Sequence, residues 1–113
     1  MLYLNADKEK VIAIKHNRKK SGIYRWTHKK SGKFYIGSAI DLGGRFSHYY
    51  SYPCIIRYAK SSIICKSFLK YGYSEFSLEI LEYCDIKETI IREQFYIDYL
   101  NPEYNILKIA GGF

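Results

Sequence analysis

Apolar and polar positions change period several times along the chain, and each change marks an element. Gly22-Ile23-Tyr24-Arg25-Trp26-Thr27 and Lys33-Phe34-Tyr35-Ile36-Gly37 are rich in β-branched and aromatic residues, and His28-Lys29-Lys30-Ser31-Gly32 between them has a turn composition. The pattern predicts a β-hairpin. With His28 to Ser31 as a four-residue loop, Thr27 pairs with Gly32, and counting back sets Tyr24 directly opposite Tyr35, both phenols on one face. Phe76, Leu78 and Ile80 alternate with Ser77 and Glu79, the period of a third strand. Asp7 is a candidate N-cap for a leader helix from Lys8 to Lys15, carrying Val11, Ile12 and Ile14. Asp41 caps a helix from Leu42 to Tyr50 that sets Arg45 and Tyr49 on one face, although Gly43 and Gly44 cost it about 1 kcal/mol each relative to alanine. Pro53 ends that stretch. Another helix runs from about Ser61 through Ile63, Ile64, Phe68 and Leu69 to Tyr71-Gly72, and a last one from about Lys87 to Leu100, halted by Asn101-Pro102.

Composition narrows the class. A chain of 113 residues is shorter than the ~150 of an average domain, which predicts one globular unit: a leader helix and basic linker over 1–20, then a domain over 21–113. Apolar residues at 48% and charged residues at 26% exclude a disordered tail and a fibrous repeat. No apolar run approaches the roughly 18 residues of a membrane helix, and Met1 to Lys10 has the composition of neither a signal segment nor a transit peptide. Cys54, Cys65 and Cys84 are odd in number and lack C-x-x-C spacing, which favours buried thiols over a zinc site or a disulfide framework. The 18 Lys and Arg against 11 Asp and Glu leave a net charge of +7 and a pI near 9.3, so the expected partner is a polyanion. Lys15-His16-Asn17-Arg18-Lys19-Lys20, Lys29, Lys30 and Lys33 either contact phosphates or form a solvated basic face. Thirteen tyrosines and six phenylalanines supply stacking faces and phenols for nucleic acid, or else a tyrosine-rich core.

Glu93 is the most informative single residue. On the last helix it stands three after Ile90, four before Ile97 and seven before Leu100, a carboxylate in an apolar stripe. Burying it unpaired is costly, so the position demands either a cation, such as Arg45 or one near Arg92, or a metal ion. A helix that turns Glu93 outward is the remaining arrangement, because Ile91, Phe95 and Tyr99 form a second stripe. If a metal is held, one carboxylate suits Mg²⁺, which keeps several waters and takes substrate phosphate, better than zinc. His28 falls in the hairpin loop and His16 in the basic linker, both as solvated residues. Tyr24 and Tyr35 taken alone read as sheet packing.

Together, Gly22-Ile23-Tyr24, ten further residues, Tyr35-Ile36-Gly37, then Arg45, Glu93 and Tyr104-Asn105 resemble the GIY-YIG nuclease family over about Ser21 to Asn105. The segments around Ser21–Trp26, Ser31–Ser38 and Asn101–Leu107 are most similar to the catalytic domains of fungal mitochondrial intron-encoded homing endonucleases, which implies a mitochondrial location. The resemblance implies an α+β fold, a small three-stranded antiparallel sheet flanked by helices. It further implies a DNA endonuclease that hydrolyses phosphodiester bonds with Mg²⁺ or Mn²⁺, leaving 5′-phosphate and 3′-hydroxyl ends. The alternatives are a structure-specific repair or recombination nuclease, and a non-catalytic nucleic-acid-binding module in which the Gly43-Gly44 helix fails to hold Arg45.

Residue by residue, the resemblance implies that Glu93 holds the divalent ion, Arg45 contacts the phosphate in flight, and Tyr24 and Tyr35 position or deprotonate the attacking water. Asn105 braces the site, and Lys33, Gly37 and His48 join it on the substrate side. The position four after the arginine is often histidine in relatives; here it is Tyr49, with His48 one step earlier, and helical geometry favours Tyr49 as helper. A phenol with its ordinary pKa of about 10 must be acidified by Arg45, Lys33 or metal before it serves as a base. Homing relatives usually carry a DNA-recognition region after the catalytic domain. This chain runs eight residues beyond Asn105, as expected of an excised catalytic domain or a truncated reading frame.

Overall fold

The computed structural model describes residues 1–110. In chain order it contains β1 (Leu2–Tyr3), α1 (Lys10–His16), β2 (Gly22–His28), β3 (Phe34–Ala39), α2 (Leu42–Tyr49), α3 (Tyr52–Tyr58), α4 (Ile63–Tyr71), β4 (Phe76–Tyr83) and α5 (Thr89–Leu100). Residues 111–113, the end of the expected 21–113 domain, lie outside the described residues. The strands form one antiparallel sheet ordered β1-β4-β2-β3. The α+β class is as expected, but the sheet has four strands rather than three. The addition is β1, which sets Leu2 against Glu79 and Tyr3 against Leu78. Two residues are too few for an alternating pattern to register in sequence.

The hairpin register also departs from expectation. Thr27 pairs with Phe34 and Trp26 with Tyr35, so Tyr24 stands opposite Gly37 and not Tyr35. The connection is longer than four residues: the His28 N–H donates to the Lys33 carbonyl at 2.8 Å, and the Gly32 N–H returns to the His28 carbonyl at 2.8 Å. Gly32 takes φ 76°, a left-handed conformation open to glycine without strain. A slip of two residues keeps every side chain on its own face. Tyr24 and Tyr35 therefore still share one, with ring centroids 6.4 Å apart. Gly37 admits that arrangement, since a Cβ there would stand 2.5 Å from the Tyr24 hydroxyl oxygen. His28 is no solvated loop residue. It ends β2 buried, with its ring 4.4 Å from that of Tyr71 and Nδ1 2.7 Å from Ser31 Oγ.

Short polar side chains set the helix starts. Asp41 accepts from the Gly44 N–H at 3.1 Å and Ser62 from the Cys65 N–H at 3.3 Å, beginning α2 and α4. Asp7 does not cap the leader; Asn5 Oδ1 collects the Asp7 and Lys8 N–H groups into a local turn, and α1 starts only at Lys10. Pro53 does not end a helix but sits in the first turn of one that the sequence did not predict, α3, where its missing N–H costs nothing. The helices α4 and α5 start at Ile63 and Thr89, each two residues later than expected.

The sheet separates two apolar layers. Tyr24, Trp26, Phe46, Phe68 and Phe76 fill one beneath α2 and α4, whereas Ile23 and Ile36 meet Ile97 of α5 on the other. Residues 1–20 join the larger layer through Tyr3, Ala6 and Ala13. Asn17, wholly buried, ties them in: its Nδ2 donates to the Ala13 carbonyl at 2.7 Å, and Tyr83 donates to its Oδ1 at 2.6 Å. Its carbonyl accepts the Gly43 N–H at 2.8 Å. A Cβ on Gly43 would stand 2.5 Å from the Ile14 carbonyl oxygen, so the glycine that weakens α2 in isolation is what lets α1 press against it. Cys65 is buried, Cys54 and Cys84 are partly so, and all three are free thiols. Among the described residues no helix is long and apolar enough to cross a membrane.

Candidate active site

The capped first turn of α2 projects Arg45 and Tyr49 from one face, as their spacing requires. Tyr49 is buried, and its hydroxyl lies 2.8 Å from that of Tyr24 on β2. Half-buried Arg45 hydrogen-bonds the same Tyr24 oxygen. Tyr35 of β3 completes a group of three phenols around one guanidinium. Their rings pack as well as bond: Tyr24 meets Phe46 edge-on at 5.4 Å and Tyr49 at 6.0 Å. The tyrosine-rich core and the candidate chemistry are thus the same residues.

Burial decides the protonation of this group. It pushes the Tyr24 phenol above its ordinary value despite the opposing pull of Arg45 and the bond to Tyr49. Tyr35 is raised by burial and then by the neighbouring Tyr24 and Glu93 oxygens, and Tyr49 by burial and then by Tyr24. Lys33 is exposed at the hairpin turn, the far end of β3 from α2. Arg45 is held cationic above its usual range, chiefly by the adjacent Tyr24 oxygen. Burial therefore favours the neutral form of all three phenols in the chain by itself.

Glu93 approaches from the other side of the sheet. It is 3% exposed on α5, while Ile90 and the supposed second stripe of Ile91, Phe95 and Tyr99 face solvent. The outward arrangement is thereby excluded. The Ser38 hydroxyl donates to the Glu93 carboxylate. Ser38 follows Gly37 in β3 and so points to the α5 face, whereas Tyr24 and Tyr35 point to the opposite one. Because β3 is the outer strand, groups from both faces meet across it, and the Glu93 charge raises both phenols. Arg92 is engaged elsewhere, with Glu82 at 2.8 Å. Among the described residues no three His, Cys, Asp or Glu side chains gather, and the Glu93 carboxylate has the Ser38 hydroxyl oxygen beside it. Ser38 went unremarked in the sequence, although the alternation of β3 was enough to place it on the face of Glu93.

The remaining predicted residues take distinct places. Asn105 grips the backbone of Ile36 at both ends, Oδ1 accepting its N–H at 3.0 Å and Nδ2 donating to its carbonyl at 2.9 Å. It acts as a strand partner on the open edge of β3, between Tyr35 and Gly37. His48 is exposed and, with Arg45, Tyr49, Ala39 and Tyr58, bounds a cleft of about 720 Å³ at the end of the sheet. Tyr58, from the unpredicted α3, was not legible as part of it.

Comparison with known proteins gives the arrangement its context. Residues 20–105 match the model of the GIY-YIG catalytic domain. The chain is 32% identical over 100 residues to the probable intron-encoded endonuclease bI1 of Neurospora crassa, covering 80% of this chain and 21% of that protein. It is 28% identical over 101 residues to the UvrABC system protein C of Mycoplasmopsis agalactiae, covering 89% of this chain and 16% of that protein. The chain thus spans about a fifth of the length of the curated relatives it matches. Among solved structures, the catalytic domain of the homing endonuclease I-TevI superposes with a TM-score of 0.64 at 33% identity, over 78% of this chain and 99% of that one. A mutant of that domain gives 0.66 at 33%, over 82% and 99%. With the family model spanning most of the chain and the same fold in a relative a third identical, this protein belongs to the GIY-YIG nuclease family.

Proposed function

We propose that this chain is the catalytic domain of a homing-type DNA endonuclease, acting in mitochondria and hydrolysing phosphodiester bonds with Mg²⁺ or Mn²⁺. The observation that carries the reading is the Tyr24–Tyr49 hydroxyl pair beside Arg45, with the Glu93 charge acting on Tyr24 across the outer strand. Residues 21–113 form the nuclease domain and 1–20 its leader. The intron-encoded relative supports the homing assignment and the mitochondrial location.

A carboxylate with a hydroxyl oxygen beside it fits Mg²⁺ or Mn²⁺, which are held by few protein ligands plus water and substrate phosphate. Glu93 would hold the ion, which when bound supplies Lewis-acid charge at the phosphoryl oxygens. Arg45, a fixed cation, stabilises charge developing on the same phosphate. Tyr24 and Tyr35 position the attacking water as neutral donors, and Tyr49 orients Tyr24. Gly37 leaves room for the Tyr24 phenol, Asn105 holds β3 in register, and His48 lies on the substrate side of the cleft.

Plasmid nicking with and without Mg²⁺ tests the reading; metal-dependent conversion of supercoiled to nicked or linear DNA is expected, and binding without cleavage would leave only a nucleic-acid-binding module. The likeness to UvrABC system protein C supports a second reading as a structure-specific repair nuclease, which a preference for flaps or junctions over linear duplex would favour.

The phenols provide a separate test. A hydrogen bond to a charged partner is worth about 1.5–3 kcal/mol, so Tyr24→Phe is expected to slow single-turnover cleavage roughly ten- to a hundredfold, and Tyr35→Phe and Tyr49→Phe by less. A base role would instead cost 10²- to 10⁴-fold and make the rate climb with pH. Parental rates in all three variants would reduce these tyrosines to sheet packing.

A further inference from the structure

Residues 1–19 lie outside the family match, yet they carry a basic face fixed to the helix of Arg45. Lys15, Arg18, Lys19 and Lys20 are all exposed. Lys15 and Arg18 line a groove of about 390 Å³ with Val11, Ile14 and Ser47, the last on α2. The next residue, His48, bounds the candidate cleft together with Arg45. The groove and the cleft therefore lie on different flanks of one short helix, α2.

The groove is held rigidly against α2. The Gly43 N–H donates to the Asn17 carbonyl and the Leu42 N–H to the Lys20 carbonyl, both at 2.8 Å, and Asp41 Oδ1 accepts the Lys19 N–H at 2.8 Å. Asp41 is an acid beside this face; its carboxylate accepts the Lys19 and Gly44 N–H groups and also feels the charge of Arg18. The side chains of Lys15 and Arg18 are exposed and positive, on a segment whose backbone is fixed to the helix of Arg45.

We propose that Lys15 and Arg18 are a phosphate-binding arm for the flank of the same duplex whose phosphodiester meets Arg45, an inference that rests on the endonuclease reading above. Charge complementarity selects the occupant: duplex DNA carries a charge about every 1.7 Å of axis, and cations on a segment held by the fold displace its condensed counterions. Such contacts set the register of the duplex without reading its sequence.

The test is the salt dependence of binding, measured by anisotropy on a short fluorescent duplex in EDTA, with the full chain, between about 50 and 200 mM NaCl. The Lys15→Gln/Arg18→Gln double variant is expected to flatten the slope of log K against log[salt] by about 2, and each single variant by about 1. At 0.1 M salt the double variant binds tens of times more weakly, and the curves converge towards molar salt. The comparison is Lys29→Gln/Lys30→Gln, the same charge removed at the hairpin turn, about 20 Å away along the strands, where the slope is expected to hold. An unchanged slope in the Lys15/Arg18 variants, or an equal fall in both doubles, overturns the arm. Circular dichroism melting identifies a double variant that fails to fold, in which case the single variants decide. Cleavage is assayed separately with Mg²⁺: intact cleavage with an unchanged slope sinks the arm alone, and a flattened slope with no metal-dependent cleavage in the parent sinks the endonuclease reading alone.

Discussion

Glu93→Gln is expected to lower the single-turnover cleavage rate by about 10³-fold or more while the protein stays folded and still binds DNA. Glutamine keeps the shape of the side chain and still accepts the Ser38 hydroxyl, so the buried position remains filled and hydrogen-bonded. What it loses is the charge, and with it, on the proposed function, the hold on a divalent ion. Several kcal/mol of transition-state stabilisation depend on that ion, whereas one altered hydrogen bond changes stability by only about 1 kcal/mol. The measurements are quench-flow cleavage in Mg²⁺, duplex affinity in EDTA and thermal melting. Cleavage at the parental rate would remove Glu93 from the metal site and leave it a structural partner of Ser38.

Arg45→Ala is expected to reduce the chemical step by 10²- to 10³-fold, the usual cost of removing one fixed donor aimed at developing charge. Ground-state affinity for DNA should change far less, because the contact strengthens only as charge accumulates on the phosphate. Removing the guanidinium also strips Tyr24 of a hydrogen-bond partner, so some of the loss travels through the phenols. Arg45→Lys recovers only part of the rate, since an ammonium cannot span the Tyr24 oxygen and a phosphate with the planar fork of arginine. A fall in affinity as large as the fall in rate would make Arg45 a binding residue.

The local chemistry of the chain was legible because it is written in short-range signals. Asp41 and Ser62 have the short oxygen side chains that accept N–H groups at helix starts, and both do so. Tyr24 and Tyr35 fell on one sheet face even with the register two residues out, because alternation survives an even slip. Where a second signal competed, local reading failed: Asn5 rather than Asp7 organises the leader turn, and Pro53 opens a helix, a role proline also has.

The sequence by itself determined the residue types of the site, the hairpin, the face that pairs Arg45 with Tyr49, and the positive charge that suits a phosphate polymer. Those follow from periods of two and 3.6 residues and from composition, which need no partner elsewhere in the chain. Only the tertiary structure decided which groups touch. Whether Glu93 turned inward or outward depended on α5 lying across β3, a contact between segments far apart in sequence. Burial, a tertiary property, pushes the phenols towards the neutral form against the pull of the nearby guanidinium. The two-residue strand β1 and the seating of α1 on Gly43 exist only because β4 offers an edge and α2 a surface without a Cβ. Long-range packing chose among arrangements that local propensity left equally open.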